Sequence, residues 1–358
     1  MCQTCAFFNK SGGFDYFRPM VLVTGGTGLL GSHLLLTLVR NNEVVRATYR
    51  TESSLDETRS LFEYYSRDGE LLFEKIQWVR ANITDIPSLE SAFEGITRVY
   101  HAAAMISFNP AAWEALKKTN VEGTANIVNL SLAHGVEKLC YASSIAAVGK
   151  GIQQEIVTEE NEWAETESSV YALSKHLAEM EVWRGSQEGL DVVMVNPGVI
   201  LGAGNWNQGS LRFFKNTARG MKRYFPGGTG FVDVMDVVHC MYHLMQSEVR
   251  NERFITVGEN ISYEEFLGSL SEAFGKPRPE KEIPLWVLEL GWRLDWFSHH
   301  FLRTKRRLTR DTVHSLKNPR LYSSQKIKDT LGFEFTDLRE SIYRYCEYFR
   351  KTYPSAFF

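Results

Sequence analysis

The stretch Thr24–Gly31, TGGTGLLG, closes the short apolar run MVLVT (residues 20–24) and opens the helically spaced LLGSHLLLTLVRNN. An apolar run that stops at glycines reads as a fully buried strand. The glycines at 25, 28 and 31 then have separable uses: a tight turn, close approach of backbone to a pyrophosphate, and close packing of helix on strand. A helix starting here offers free N–H groups and the positive end of its dipole to phosphate. Alone, a glycine-rich turn is only a tight connection. With a strand before it and a helix after it, the turn reads as a dinucleotide loop, with Gly25, Thr27, Gly28, Leu29 and Leu30 against the pyrophosphate.

Outward from this loop the same rhythm repeats. VVRATYR, QWVRANI, RVYHAAA, KLCYASS and DVVMVNPG are short apolar segments separated by helical stretches. That alternation specifies an α/β fold, a Rossmann-type doubly wound parallel sheet with both faces covered. Beyond Pro197 the pattern changes to a glycine-rich region, Gly202 to Gly230, and from Ser262 the chain is mainly helical, broken by Pro277, Pro279 and Pro284. The expected division is an N-terminal extension (1–19), a nucleotide-binding domain (20–198 and 232–258) and a smaller, mainly helical substrate lobe (199–231 and 259–358).

The totals set limits. The chain has 358 residues, 44% of them hydrophobic and 23% charged, and its net charge of −3 gives no global preference for nucleic acid or anionic lipid. The basic run Lys305, Arg306, Arg307 and Arg310 reads as a solvated face. Five cysteines are an odd number for a disulfide framework, and the Cys2/Cys5 pair lacks the partners of a zinc or redox site. Residues 1–19 lack the apolar core of a signal peptide. The most apolar stretch, IPLWVLELGWRLDWFSHHFL, is interrupted by Glu289, Arg293 and Asp295, so no membrane span and a cytoplasmic location are expected. Its Trp-rich part, 285–297, reads as packing of the second lobe. His101 reads as structural, and no metal site is expected.

The end of the second strand should read the adenosine ribose. An acid about 20 residues after the glycines would accept from a 2′-hydroxyl and favour NAD. This chain has Arg50 instead, whose guanidinium can grip a 2′-phosphate, so NADP is preferred and NAD remains open.

YALSK, Tyr171 to Lys175, puts a phenol and an amine on one helix face. By itself such a turn is commonplace. Here it follows TGGTGLLG, HAAA (101–104), NVEGT (120–124) and YASS (141–144), and NPG (196–198) comes after it. Six motifs in this order resemble an extended short-chain dehydrogenase/reductase of the NAD-dependent epimerase/dehydratase superfamily. NPGVILGAG, PGGTGFVDVMDVV and LYSSQKIKDTLGF bring the likeness closest to the dihydroflavonol reductase and 3β-hydroxysteroid dehydrogenase branch. Dehydratases of the superfamily carry an Asp-Glu pair after the catalytic serine or threonine; Ile145, Ala146 and Ala147 stand there instead.

The resemblance implies a catalytic trio of Ser144, Tyr171 and Lys175: Tyr171 exchanges the proton, Ser144 orients the substrate oxygen, and Lys175 lowers the phenol's pKa and binds the nicotinamide ribose. Ser143 is read as a strand-end hydroxyl bonding backbone. The likeness further implies cofactor contacts at Ala102, Ala103, Ala104, Asn120, Pro197, Gly198, Val199 and Ile200. Asn82-Ile83 replaces the family's Asp-Ile at the adenine, and Arg59 is a distant candidate for a second phosphate-binding cation. Met105, Phe108, Ser144, Trp206 and Phe231 are candidates to line the site of a small, apolar or aromatic substrate, and a homodimer is expected. The leading expectation is an NADP-dependent enzyme interconverting a carbonyl and a secondary alcohol. An NAD-retaining sugar-nucleotide epimerase and a non-catalytic nucleotide-sensing protein are the alternatives.

Overall fold

The computed structural model describes residues 19–149, 156–163, 169–302 and 308–353. Cys2, Cys5, most of the N-terminal extension, and Lys305, Arg306 and Arg307 lie outside them. In chain order the strands are β1 (Met20–Thr24), β2 (Val44–Tyr49), β3 (Gln77–Arg80), β4 (Ile96–His101), β5 (Lys138–Ala142), β6 (Asp191–Pro197), β7 (Val199–Leu201), β8 (Arg223–Tyr224), β9 (Gly228–Asp233), β10 (Glu252–Thr256), β11 (Glu259–Ser262) and β12 (Lys281–Glu282). Seven of them form one sheet in the order β10-β6-β5-β4-β1-β2-β3, every neighbouring pair parallel.

Successive side chains of a strand point to opposite faces, so each strand supplies two layers. Val21 and Val23 of β1 enter one core with the helices Leu29–Arg40 and Val234–Gln246, and Leu22 between them enters the other with Gly123–Ala133 and Val170–Gln187. Continuous apolar runs thus become strands buried on both faces. The described cysteines, Cys140, Cys240 and Cys346, are buried free thiols.

A second sheet, β11-β9-β7, is assembled from segments after Pro197, with β9 antiparallel to β11 and parallel to β7. The helix Leu285–Leu302 follows this sheet in the chain. Only part of it packs as the sequence suggests: Leu288 joins Val313 and Leu316 in a small cluster. Trp286, Leu290 and Leu294 are instead 69%, 50% and 59% exposed, so the packing expectation holds for one side of this helix alone.

Candidate active site

The phosphate loop leaves β1 at Gly25, whose φ of +71° is unfavourable for residues with a side chain. A Cβ at Gly25 would sit 2.7 Å from the backbone of Ala103, and one at Gly31 would sit 2.1 Å from the Gly25 carbonyl. The Leu29–Arg40 helix starts from Gly28 with no side-chain cap and no acid in its first turn. Its leading amides therefore lack intrahelical acceptors and face an uncontested positive dipole end. Such a cradle fits a pyrophosphate.

The rest of the cofactor strip lies along the C-terminal ends of the strands. Arg50 is exposed just past β2. Tyr49 donates to the Glu52 carboxylate at 2.9 Å and pairs in register with Arg80, so an acid that sequence reading passed over also stands near the ribose end. Arg59 is not available there: it pairs with Glu70 and lies 4.6 Å over the Phe73 ring. Asn82 Oδ1 accepts from the Thr84 amide at 3.2 Å, while Ile83 is buried under Gly123. Ala102–Ala104 follow β4, and the Ala102 amide donates to Thr24 at 3.2 Å, which holds this loop over the glycines. Across the sheet, Pro197 ends β6, Gly198 donates to Thr256 at 3.1 Å, and Val199 and Ile200 continue into β7.

The Val170–Gln187 helix, capped by Ser169, carries the phenol and the amine. Tyr171 is buried beside Ser144, which sits just past β5 where its Oγ accepts from the Ala146 amide at 3.2 Å. Burial pushes the phenol pKa up, and the neighbouring Ser144 hydroxyl opposes that shift. Phe108, 50% exposed, lies edge-on to the Tyr171 ring at 5.3 Å. The Lys175 ammonium, 1% exposed, donates to Tyr141 Oη at 2.7 Å and to the Ala142 carbonyl at 2.8 Å. Burial brings Lys175 down to about 7, with Glu179 opposing. In this arrangement the amine is turned toward the end of β5, and the pull on the phenol expected from sequence is exerted by Ser144 instead.

A buried scaffold fixes the trio. Asn120 lies in a wide, π-type stretch of helix, Lys117–Glu122, a local form often found at functional sites. Its amide accepts from the Met105 N–H at 2.7 Å and donates to the Met105 carbonyl and Ser174 at 2.9 and 3.0 Å. The residue expected at the nicotinamide thus holds the Met105 loop against the active-site helix. Glu179, one turn past Lys175, is fully buried; it accepts from Asn196 at 2.6 Å and pairs with Arg253 at 3.3 Å. Burial raises its carboxyl pKa, opposed by Ser143, Arg253, Asn196 and Lys175. Asn196 also donates to the Ser144 carbonyl at 2.9 Å. Ser143 does not bond backbone as expected: its buried hydroxyl lies beside Glu179. His101 is structural, its ring nitrogens bonded to Thr24 and Thr124 at 2.6 and 3.0 Å; burial, with Lys175 nearby, brings it down to about 3 and keeps it neutral.

Two candidate substrate residues belong to the core. Trp206, 5% exposed, packs on Phe214, Tyr348 and Phe349 and donates to Thr352 at 3.1 Å. Phe231 is fully buried against Phe266 at 4.3 Å. Both rings are enclosed by the lobe's own side chains. Met105 and Phe108 remain on the loop beside the trio. Glu179 is the functional neighbour that the sequence could have signalled, since Tyr171, Lys175 and Glu179 repeat at four-residue spacing.

Fold and site together define an NAD(P)-dependent oxidoreductase of the Rossmann type. The chain belongs to the NAD dependent epimerase/dehydratase family, whose model matches residues 21–258. It is 33% identical over 285 residues to a Synechocystis sp. protein assigned by name to the dihydroflavonol 4-reductases, covering 75% of this chain and 77% of that one. It is 30% identical over 315 residues to sterol demethylase protein B of Methylococcus capsulatus, covering 86% and 90%. The UDP-glucose 4-epimerase of Thermotoga maritima shares the fold, with a TM-score of 0.74 at 23% identity over 93% of this chain and 99% of that one. No described helix is long and apolar enough to cross a membrane, and no group of three or more metal-ligating side chains occurs among the described residues.

Proposed function

We propose that the protein interconverts a carbonyl and a secondary alcohol on a small, apolar or aromatic substrate, with NADP as the preferred cofactor. The observation that carries this reading is Tyr171, buried beside Ser144 and lined by the exposed edge of Phe108. An apolar ring at the acid suits a hydrophobic substrate better than a sugar nucleotide, which favours reduction over the epimerase alternative. The homodimer and the assignment of 199–231 and 259–358 to substrate binding belong to the same reading.

When bound, the nicotinamide supplies or accepts the hydride. Gly25, Thr27, Gly28, Leu29 and Leu30 would hold the pyrophosphate, Arg50 a 2′-phosphate, and Asn82 with Ile83 the adenine. Ala102–Ala104 and Pro197–Ile200 would flank the nicotinamide end, and the remaining N–H of Lys175 suits a ribose hydroxyl. In the reducing direction the Tyr171 phenol gives its proton to the carbonyl oxygen while the Ser144 hydroxyl fixes that oxygen. In oxidation Tyr171 takes the proton back. The raised phenol pKa leaves Tyr171 protonated near neutrality, so the proton to be given is on the phenol.

Tyr171→Phe should lower turnover by about 10²- to 10⁴-fold, the usual worth of a general acid. Its thermal shift with NADPH should match the wild type and exceed that with NADH. Undiminished turnover across a panel of ketones and aldehydes would remove Tyr171 from the mechanism, and a larger shift with NADH would overturn the role of Arg50.

A further inference from the structure

We infer that the Leu285–Leu302 helix is a membrane-surface anchor that lies flat on a bilayer carrying anionic headgroups. Its inner side is accounted for by Leu288, packed with Val313 and Leu316. Its outer side is not: Trp286, Leu290 and Leu294 recur at four-residue spacing and are 69%, 50% and 59% exposed, with Val287 beside them at 38%. Residues at that spacing share one face. Seven of the fifteen large apolar side chains exposed on the described surface belong to this one helix, so the exposure is a patch and not a scatter. Contiguous apolar patches of this kind mark interaction surfaces. A shallow concavity of about 500 Å³ beside it is lined by Trp292, Arg293, Leu294, Trp296 and Phe297, indole and aliphatic groups suited to the headgroup–acyl boundary.

Charge selects the occupant. From Leu285 to Lys317 the sequence carries seven lysines and arginines against three acids, in a chain whose net charge is −3. Glu289 pairs with Arg293 and Lys317 at 2.7 and 2.6 Å, which leaves five of the seven cations against two acids. An apolar helix face followed in the sequence by a cationic stretch is what anionic lipid attracts. Glu289, Arg293 and Asp295 interrupt the apolar run of this helix, and no described helix qualifies as a membrane span, so the geometry is peripheral.

The test is sedimentation of the full chain with vesicles of phosphatidylcholine, with and without phosphatidylglycerol. The wild type should pellet with the mixed vesicles and at least tenfold less with phosphatidylcholine alone. The triple variant Trp286→Ser/Leu290→Ser/Leu294→Ser should lose pelleting at least tenfold while keeping the wild-type circular dichroism spectrum and NADPH thermal shift. Wild type that stays in the supernatant with both vesicles, or a variant that pellets equally well, overturns the inference. So does light scattering that finds a wild-type dimer dissociated by the triple substitution, which would assign the face to a second copy.

Discussion

Two helices of this protein, each 18 residues long, are built on opposite plans. Val170–Gln187 is the polar helix at the centre: Ser174, Lys175 and Glu179 are each at most 1% exposed, and each has named partners. Leu285–Leu302 is the apolar helix at the edge, with tryptophan and leucine turned to solvent. Hydrophobicity alone would exchange their places. The first is buried because its polar groups find partners on β5, β6 and β10, which offsets desolvation. The second keeps its outer face exposed, and among the described residues its Leu288 packs into one small cluster.

Substitutions can break this contrast, beginning at the centre. Glu179→Ala removes the anion that faces Lys175 and Arg253, and breaking a buried pair from one side costs about 3–5 kcal/mol. A urea midpoint unchanged from wild type would show that the central helix tolerates unpaired charge, and the contrast would fail there.

Lys175→Met tests the same centre through pH. With its folded value near 7 and an ordinary ammonium value of about 10.4, Lys175 binds more protons unfolded than folded across the window between them. Wild-type stability should therefore gain a rising component as pH increases through that window. The cost of burying the cation is fully present below the folded value and absent above the unfolded one. The methionine variant lacks that component, so the stability difference between the two should change steadily from about pH 7 to about pH 10. Parallel pH curves would mean that the buried amine keeps an ordinary ammonium pKa and stays protonated through that window.

The smallest effect is expected at the edge. Leu294→Ser, at a site 59% exposed, should alter the unfolding free energy by no more than about 0.5 kcal/mol. A loss well above that would mean the outer face contributes to the fold, and the two helices would differ less than their exposures indicate.

The sheet was legible because each strand is an apolar run ended by turn residues, and a run buried on both faces needs no finer pattern. Tyr171 and Lys175 were legible because helix geometry alone brings them to one face. Contacts between distant segments were not. The hold of Asn120 on Met105 depends on how the loop after β4 folds back, and the turn of Lys175 toward Tyr141 depends on the register of β5 with the helix. Trp206 and Phe231 were misjudged because an aromatic that fills a lobe and one that lines a cleft look alike in sequence. The outer face of Leu285–Leu302 was misjudged for the converse reason: apolar residues predict burial only in a tendency, and exposure has to be observed.

The order of the main sheet has a consequence for how the chain is made. Strand β10 covers the outer side of β6, yet everything from Val199 to Asn251 is translated between them. While that excursion is emerging from the ribosome, β6 presents the unpaired backbone of Asp191–Pro197, with valines and a methionine, as an open edge. A nascent or prematurely terminated chain is therefore most adhesive in this interval, and the arrival of Glu252–Thr256 ends it.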